Sequence, residues 1–482
     1  MDSSLTGLNP AGLWEIFDEI RQIPRCSKKE EKIICYLEEF ASKHGIEYRK
    51  DSVGNIVMRK PGSPGCESAP IIVLQSHVDM VCEKNSDVSF DFDNDPIQLR
   101  RDGDWLLAQD TTLGSDNGIG LAASLAILLD PAILHGPLEV LCTIDEETGM
   151  TGANYIQTGF LRGRFLLNLD SEEEGMFTIG CAGGQDTVLT LPLHFEPSPT
   201  NGFQLKLSGM KGGHSGLDIN LGRANAIKIL TYLLYEISEE ASLRISYIQA
   251  GSKRNAICRE AIINCSSVLS LDEIQRMVEP AFNAIKMDLQ PAEPDMKFEI
   301  SSVSISQSLC EAESKKILQL LYALPHGVKR MSLSLTDKVE TSTNLAIVKI
   351  SDQMLMIHQM SRSSSETGLR LISEKIQSVG ELAGASIQHS GKYPGWQPNA
   401  NSSLVHTMVK VYEQVFQKTP KLESIHAGLE TGIIGVKFPG MEMISIGPDI
   451  GNPHSPDEKV NVVTVEKFWK LLVATLEKLA KT

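Results

Sequence analysis

The spacing of apolar residues changes period along the chain, and each period predicts a kind of element. Residues 13–20 carry apolar side chains three and four positions apart, which predicts an amphipathic helix. Short runs that are wholly or mostly apolar are typical of strands buried in a parallel sheet, and they occupy 71–74, 138–144 and 165–169. A helix rich in Ala and Leu is predicted over 118–129. Strands that alternate with helices in this order predict a doubly wound α/β domain with a mostly parallel sheet.

A different pattern begins at about residue 186. The strands predicted there alternate apolar and polar side chains, as in 203–209, so one face of each contacts solvent. Predicted helices intervene at 223–239, 271–286, 312–323 and 369–380. The buried pattern returns after a turn-rich stretch at 391–403. We therefore predict a catalytic α/β domain formed by residues 1–185 and 397–482, interrupted by an inserted α+β lid domain at 186–396.

Composition narrows the classes of function. The 482 residues carry a formal net charge of −16, which opposes nucleic-acid binding because phosphates are bound by clustered Lys and Arg. No apolar run approaches the roughly 20 residues of a membrane span, and the N-terminal sequence MDSSLTGLNP lacks the pattern of a secretory signal. The nine cysteines are scattered without a CxxC pair. We therefore expect reduced thiols, a cytoplasmic location, and neither a membrane nor a nucleic-acid partner.

Acidic residues follow each of the three apolar runs, and a histidine follows the first. His77 and Asp79 follow the first run, Glu146 and Glu147 the second, and Asp170 the third. In open α/β sheets the ligand crevice lies beyond the carboxyl ends of the strands. Three strands that deliver imidazole and carboxylate groups to the same edge predict a metal site there.

Two further candidates lie in turns. Asp116 lies in the glycine-flanked sequence DTTLGSDNGIG at the start of the predicted Ala-rich helix, where a carboxylate is favoured. His454 lies between two prolines in GNPHSP. Each residue alone also fits a capping or loop position. Their occurrence together with the groups at the strand ends favours metal binding.

Six segments together resemble the motifs of one enzyme family: SHVDM, DTTLGSDNGIGLA, DEETGMTGA, NLDSEEEG, GGHSG and PHSPDE. They are similar to those of the zinc exopeptidases that include carnosinase and glutamate carboxypeptidase, and most similar to the bacterial branch that hydrolyses Xaa-His dipeptides such as β-alanyl-histidine. The resemblance covers essentially the whole chain. It implies a metallopeptidase that acts on a small dipeptide and uses two Zn²⁺ ions, for which Mn²⁺ or Co²⁺ could substitute.

The resemblance also implies a ligand set. Asp116 would bridge the two Zn²⁺ ions. His77 and Asp170 would complete the coordination of one metal, and Glu147 and His454 that of the other.

Other residues would perform or support the chemistry. Asp79 would orient His77 through the second ring nitrogen. Glu146 would be the general base, which takes a proton from a water activated by the two zinc ions and passes it to the leaving amine.

The resemblance extends to the substrate contacts. His214 in GGHSG would donate a hydrogen bond to the tetrahedral oxyanion. Asn255 and Arg362 would hold the substrate's carbonyl and terminal carboxylate, and Glu430 would bind its free amine. The family often has a proline shortly after the asparagine, whereas Ala256 follows Asn255 here.

Two alternatives remain open from the sequence. One is an N-acyl-amino-acid deacylase or carboxypeptidase of the same fold, but such members tend to carry Glu where this chain has Asp170. The other is a non-catalytic metal-binding scaffold, which would be expected to lose Glu146 first. The lid domain is large enough either to form a homodimer or to close over the site in its own chain.

Overall fold

The computed structural model describes residues 2–198 and 202–482. A 3-10 helix at Ser3–Leu5 precedes the α-helices, which are α1 (Ala11–Ile20), α2 (Glu31–Lys43), α3 (Ser115–Leu129), α4 (Glu146–Gly149), α5 (Thr151–Tyr155), α6 (Ala226–Glu240), α7 (Leu271–Leu289), α8 (Glu311–Ala323), α9 (Glu366–Leu382), α10 (Ser403–Phe416), α11 (Glu430–Lys437) and α12 (Val462–Leu479). The strands are β1 (Glu47–Lys50), β2 (Ile56–Lys60), β3 (Ile72–His77), β4 (Leu99–Asp102), β5 (Trp105–Ala108), β6 (Leu138–Thr143), β7 (Phe165–Asn168), β8 (Met176–Cys181), β9 (Gly183–Pro192), β10 (Phe195–Pro197), β11 (Gly202–Ser208), β12 (Leu243–Ala250), β13 (Ala261–Ser267), β14 (Lys297–Val303), β15 (Gln307–Leu309), β16 (Gly327–Met331), β17 (Val339–Ser351), β18 (Met354–Ser363), β19 (Ser386–Tyr393), β20 (Lys421–Ile425), β21 (Glu442–Ser445), β22 (Ile450–Gly451) and β23 (Lys459–Asn461).

The chain divides into two units. Unit 1 comprises Met1–Gly180, Pro398–Ser424 and Leu429–Thr482, and unit 2 comprises Cys181–Gln397 and Ile425–Gly428. The division into domains with limits at 185/186 and 396/397 stays a prediction. Within residues 2–198 and 202–482, none of the helices combines the length and apolar character needed to cross a lipid bilayer.

The main sheet of unit 1 has the strand order β1-β2-β6-β3-β7-β21-β8-β20. Its centre, β6-β3-β7-β21, is parallel, and β1, β2 and β8 pair antiparallel with their neighbours. The register pairs His77 with Thr143 and Gln75 with Asn168, so the carboxyl ends of β3, β6 and β7 lie side by side. The sheet is therefore mixed, with a parallel centre and antiparallel outer strands, where a mostly parallel sheet was predicted. It confirms the predicted α/β fold class and places the ends of three strands at one edge.

Helix α3 is buried on nearly every side, since Asp116 and Leu129 alone among its residues are not buried. It begins three residues before the predicted start, and Asp116 and Asn117 have non-helical backbone angles within it. A side chain at Gly120 would come within 2.6 Å of the Leu169 carbonyl oxygen. The glycine therefore permits the close approach of α3 to the end of β7.

Unit 2 is an α+β structure, as predicted. Its nine-stranded sheet has the order β14-β11-β13-β12-β17-β18-β9-β19, with β16 paired to β17, and every pair is antiparallel. One hydrophobic cluster joins the sheet to α6, α7, α8 and α9, and it includes Leu205, Leu233, Val278, Leu321 and Ile376. The polar side chains that alternate with these apolar ones along each strand lie on the opposite face of the sheet.

Strand β17 was not predicted from the sequence. Residues 340–344 (ETSTN) are polar but buried, and they pair with β16 on one side and β18 on the other. A polar run of this kind lacks the apolar alternation by which strands are recognised.

The prediction that the cysteines are reduced is wrong for one pair, because Cys26 and Cys82 form a disulfide. The Ser27 N–H donates to the Met80 carbonyl at 3.3 Å, and the Met80 N–H donates to the Arg25 carbonyl at 3.1 Å. This pairing brings the two cysteine Cα atoms to 5.6 Å, although 56 residues separate them in sequence. The other seven cysteines form no disulfide in the described part of the chain.

Candidate active site

Three predicted ligands converge at the carboxyl ends of β3 and β7. His77 is the last residue of β3, Asp170 follows β7, and Asp116 lies in the first turn of α3. His77 Nε2 lies 3.1 Å from Asp116 Oδ1 and 3.3 Å from Asp170 Oδ1. One imidazole and two carboxylates at these distances can hold a divalent cation.

Asp116 presents its other oxygen to a second group. Asp116 Oδ2 lies 3.2 Å from His454 Nε2, which lies 2.9 Å from Glu147 Oε2. Glu147 lies in α4, directly after β6, and His454 lies between β22 and β23. The structure thus brings the five predicted ligands together, and the Asp116 carboxylate is common to both groups.

The carboxylates of both ligand groups favour a positive charge on or between the histidines. Contacts with Asp116 and Glu147 raise the pKa of His454 to about 11. Burial opposes a charge on His77, but the Asp170 and Asp116 carboxylates raise its pKa well above the ordinary value. Burial also raises the pKa of Asp170 to about 6. Bound divalent cations would supply the positive charge and leave neutral imidazoles as ligands.

Glu147 provides an independent test of the fit to metals. Its Oε1 atom is buried and has no hydrogen-bond partner in the part of the chain that the structure describes. A buried carboxylate oxygen left unpaired is unfavourable unless it binds a donor or a cation. Imidazole and carboxylate both ligate Zn²⁺. The residues present therefore fit a pair of divalent cations.

Asp79 connects two segments of the site. His77 Nδ1 lies 3.1 Å from the Asp79 carbonyl oxygen and 3.4 Å from its Oδ1. The same carboxylate accepts hydrogen bonds from the N–H groups of Glu146 (3.1 Å) and Glu147 (3.3 Å) and from the Ser27 hydroxyl (2.8 Å). Burial would raise the pKa of Asp79, but its hydrogen bonds lower it to about 2. Asp79 therefore holds the start of α4 as well as His77, a contact that the sequence did not predict.

Glu146, the predicted general base, begins α4 and forms a group with His77 and Glu147. Burial raises the pKa of Glu146 well above its ordinary value; His77 opposes the shift, and the negative charges of Asp170 and Glu430 add to it. A carboxylate with a raised pKa is suited to accept and then release a proton near neutral pH.

Glu430 lies at the start of α11 and is 1% exposed. Its Oε2 accepts hydrogen bonds from Gln75 Nε2 and Thr143 Oγ1, both at 2.7 Å. Burial raises the pKa of Glu430 to about 7. Glu430 is thus joined to β3 and β6, and its contact with a substrate amine stays a prediction.

In unit 2 the predicted lid residues His214 and Arg362 lie together. His214 Nδ1 accepts hydrogen bonds from the N–H groups of Gly216 (3.2 Å) and Leu217 (3.0 Å). Because Nδ1 accepts both, the neutral ring carries its proton on Nε2. Burial lowers the pKa of His214, and the Arg362 guanidinium lowers it further. His214 therefore presents a neutral Nε2–H donor.

Arg362 is 5% exposed and contacts neutral groups. Its Nη1 donates to the Tyr393 hydroxyl at 2.9 Å, and its Nε donates to Ser215 Oγ at 3.4 Å. Its Nη2 lies 3.4 Å from His214 Nε2, so two donors are side by side. No carboxylate among the described residues pairs with this cation. A buried guanidinium with neutral partners favours the binding of an anion.

Asn255 lies in the exposed segment between β12 and β13. Its carbonyl oxygen accepts the Ser215 N–H at 2.9 Å, and the Ile257 N–H donates to the Gly213 carbonyl at 2.8 Å. Asn255 is therefore paired with the GGHSG segment through the backbone, and a contact of its side chain with substrate stays a prediction.

Two buried polar residues, Asn117 and His426, were not singled out from the sequence. Asn117 Nδ2 donates a short hydrogen bond to Asp170 Oδ1, and its place beside Asp116 in a quoted motif was a usable signal. His426 Nε2 lies 2.7 Å from Ser342 Oγ in unit 2. No sequence signal pointed to that contact, because Ser342 belongs to the unpredicted strand β17.

Known proteins are similar to this chain over nearly its whole length. The model of the peptidase family M20/M25/M40 matches residues 73–478. A cytosol non-specific dipeptidase from Escherichia coli (strain K12) is 42% identical over 481 residues, 99% of each chain. The crystal structure of an aminoacylhistidine dipeptidase from Vibrio alginolyticus is 42% identical, with a TM-score of 0.94 over 98% of each chain. An aminopeptidase from Bacillus cereus shares the fold, at 16% identity and a TM-score of 0.57 over 98% of this chain and 99% of its own.

Fold and site together define a metallopeptidase. The match over residues 73–478 and the identity of 42% with full-length relatives show that the chain belongs to the peptidase family M20/M25/M40. The family resemblance predicted from the six motifs is thereby confirmed.

Proposed function

We propose that the protein is a cytoplasmic dipeptidase that holds two Zn²⁺ ions and hydrolyses small dipeptides, Xaa-His dipeptides among them. One observation carries the proposal. The two oxygens of the Asp116 carboxylate face different groups, with His77 Nε2 at 3.1 Å and His454 Nε2 at 3.2 Å. A shared carboxylate suits two cations about 3.5–4 Å apart.

The proposed ligands divide into two sets that share Asp116. His77 and Asp170 belong to one set, and Glu147 and His454 to the other. When bound, the metal pair would polarise the scissile carbonyl and lower the pKa of water. Nitrogen and oxygen ligands of this kind suit Zn²⁺ and also admit Mn²⁺ or Co²⁺.

Glu146 would perform the proton transfer. It would take a proton from the attacking water and deliver it to the amine that leaves when the peptide bond breaks. Its raised pKa supports this role, and the hydrogen bond from its N–H to Asp79 at 3.1 Å holds its backbone in place.

Residues of unit 2 would stabilise charge on the substrate. The His214 Nε2–H would donate to the carbonyl oxygen as negative charge develops on it. Arg362 would bind the terminal carboxylate through its planar fork, with Asn255 on the substrate carbonyl. The neutral state of His214 and the anion-favouring surroundings of Arg362 support these roles.

The relatives support dipeptides as substrates but differ on the C-terminal residue. The Escherichia coli relative is named a non-specific dipeptidase, and the Vibrio relative an aminoacylhistidine dipeptidase, at the same 42% identity. The proposal therefore includes Xaa-His hydrolysis and leaves the strictness of the histidine preference to measurement.

A substrate panel with wild-type protein and Glu146→Gln tests the proposal. The panel holds Xaa-His and other dipeptides, N-acyl amino acids and longer peptides, each with Zn²⁺, Mn²⁺ or Co²⁺. We expect dipeptides to be cleaved fastest, and the variant to lose about 10²–10⁴-fold in kcat or more. Its metal content, measured by mass spectrometry, should equal that of the wild type.

Two results would overturn the proposal. Preferred cleavage of N-acyl amino acids would assign the protein to the deacylases of this fold. Near wild-type turnover by Glu146→Gln would remove Glu146 from the role of general base.

A further inference from the structure

Glu458 lies four residues after His454, is 2% exposed and has no role in the reaction proposed above. Its two oxygens accept hydrogen bonds from the four consecutive backbone N–H groups of the turn 113–116. The oxygen–nitrogen distances are 2.8 Å to Leu113, 3.0 Å to Gly114, 2.8 Å to Ser115 and 3.4 Å to Asp116. The Ser115 hydroxyl adds a fifth hydrogen bond at 2.7 Å. A carboxylate is stabilised here because a helix N-terminus concentrates unpaired N–H groups.

Arg25 binds the carbonyl side of the same turn and is also 2% exposed. Its Nη2 donates a short hydrogen bond to the Gly114 carbonyl. Its Nη1 donates to the carbonyl oxygens of Val78 (2.9 Å) and Asp79 (3.0 Å). A side chain at Gly114 would come within 2.5 Å of Arg25 Nη2, and one at Gly118 within 2.8 Å. The glycines therefore leave room for the guanidinium.

The two charges compensate each other across the turn. A buried charge is unfavourable unless it is paired or fully hydrogen-bonded. Glu458 meets the N–H groups of residues 113–116, and Arg25 meets a carbonyl of the same turn from the other side. We call Arg25, Glu458 and residues 113–116 the turn clamp.

We propose that the turn clamp sets the spacing between the two cation sites, and this inference rests on the proposed function. Glu458 belongs to the same segment as His454 and ties that segment to the turn that carries Asp116. Arg25 ties the same turn to the two carbonyls that directly follow His77. One half of the clamp therefore holds Asp116 relative to His454, and the other half holds it relative to His77. Glu458 and Arg25 are positioning residues, which act through Asp116.

Another buried carboxylate of unit 1 serves as a matched control. Glu139, also 2% exposed, accepts the N–H groups of Arg162 (2.7 Å) and Gly163 (3.0 Å) and pairs with Arg59 at 3.0 Å. It lies near the amino end of β6, whereas Glu146 and Glu147 follow the carboxyl end. Replacement of Glu139 removes similar hydrogen bonds without touching the turn clamp.

The test compares Glu458→Gln with Glu139→Gln in the full-length protein. Glutamine keeps one acceptor oxygen but places an NH₂ group against backbone N–H donors, so the turn loses hydrogen bonds. We expect Glu458→Gln to weaken binding of both cations by about 10–100-fold, as measured by equilibrium dialysis with Zn²⁺ and Co²⁺. The visible spectrum of the Co²⁺-loaded variant should also shift. Glu139→Gln should lower Tm while both cation affinities stay at the wild-type value.

Arg25→Lys keeps the positive charge but removes the planar guanidinium that contacts several carbonyls at once. It tests the other half of the clamp if Glu458→Gln does not fold. It should weaken cation binding in the same assay. The role of the turn clamp would be refuted if a folded Glu458→Gln or Arg25→Lys protein bound both cations within about threefold of wild type, which is about 0.7 kcal/mol. The proposed function would still stand in that case. A wild-type protein that binds fewer than two cations would overturn both.

Discussion

The histidines near the candidate site lie in opposite electrostatic surroundings in the two units. In unit 1, carboxylates raise the pKa of His454 to about 11 and raise that of His77. In unit 2, burial lowers the pKa of His214, and the Arg362 cation lowers it further. Burial lowers the pKa of His426 to about 3. The same side chain is thus set for different tasks. Imidazoles among carboxylates are suited to bind cations, and neutral imidazoles beside a guanidinium are suited to donate to an oxygen.

The strongest test of this contrast is Asp116→Ala. Among the described carboxylates, Asp116 alone lies within ion-pair distance of both His77 Nε2 (3.1 Å) and His454 Nε2 (3.2 Å), so we expect both cations to be lost together and turnover to become undetectable. Asp170→Ala, which touches one group, should release one cation first. Metal analysis after dialysis measures both variants. Retention of one cation at full occupancy in Asp116→Ala would refute the shared carboxylate.

A smaller effect is expected from His214→Ala in unit 2. Loss of a donor to the developing oxyanion should lower kcat by about 10²–10³-fold with little change in KM, because the hydrogen bond matters mainly in the transition state. His389→Ala, at an exposed position of β19, is the matched control and should keep wild-type kinetics. An increase in KM with kcat unchanged would show that His214 contributes to binding alone. Steady-state kinetics on one dipeptide measure all three proteins.

The smallest effect concerns stability in acid. Burial lowers the pKa of His326 in unit 2 to about 3, and its Nδ1 lies 3.3 Å from the Leu345 backbone nitrogen. Between pH 6.5 and about 3 the unfolded chain binds a proton that the folded chain does not. The contribution of His326 to the free energy of unfolding should therefore fall as the pH falls through this window, by at most about 1.4 kcal/mol per pH unit.

His326→Gln should remove this contribution. Urea unfolding at several pH values should then give a slope of unfolding free energy against pH that differs from the wild-type slope by about one proton. Wild-type protein unfolded in the same buffers is the reference for this slope. Equal slopes for wild type and His326→Gln would mean that His326 is not held neutral in the folded protein.

The part of the site that could be predicted is the part delivered by regular strands. The runs of β3, β6 and β7 are short and mostly apolar, and parallel strands present their carboxyl ends at one edge. The residues that follow these strands, among them His77, Glu147 and Asp170, were therefore predicted to share one edge, and the family resemblance assigned these three as ligands. The local sequence of the Asp116 turn and the proline-flanked His454 completed the set.

The supporting contacts could not be predicted, because their partners are distant in sequence. Glu458 is 343 residues from Ser115, and its hydrogen bonds exist only once β23 and α3 are in place. Arg25 carries no local sign that its guanidinium will reach three backbone carbonyls. The disulfide between Cys26 and Cys82 depends in the same way on two segments that pair over a long separation.

Helix α3 makes the reacting centre dependent on the interior of unit 1. The helix is surrounded by buried side chains, and Gly120 abuts the Leu169 carbonyl, so it can neither slide nor turn without breaking that packing. Insertion or deletion of one residue within it would rotate Asp116 by about 100° around the helix axis, away from His77 and His454. The length of this segment is therefore as constrained as the identity of its ligand, and variation in chain length has to be accommodated in the loops that precede and follow it.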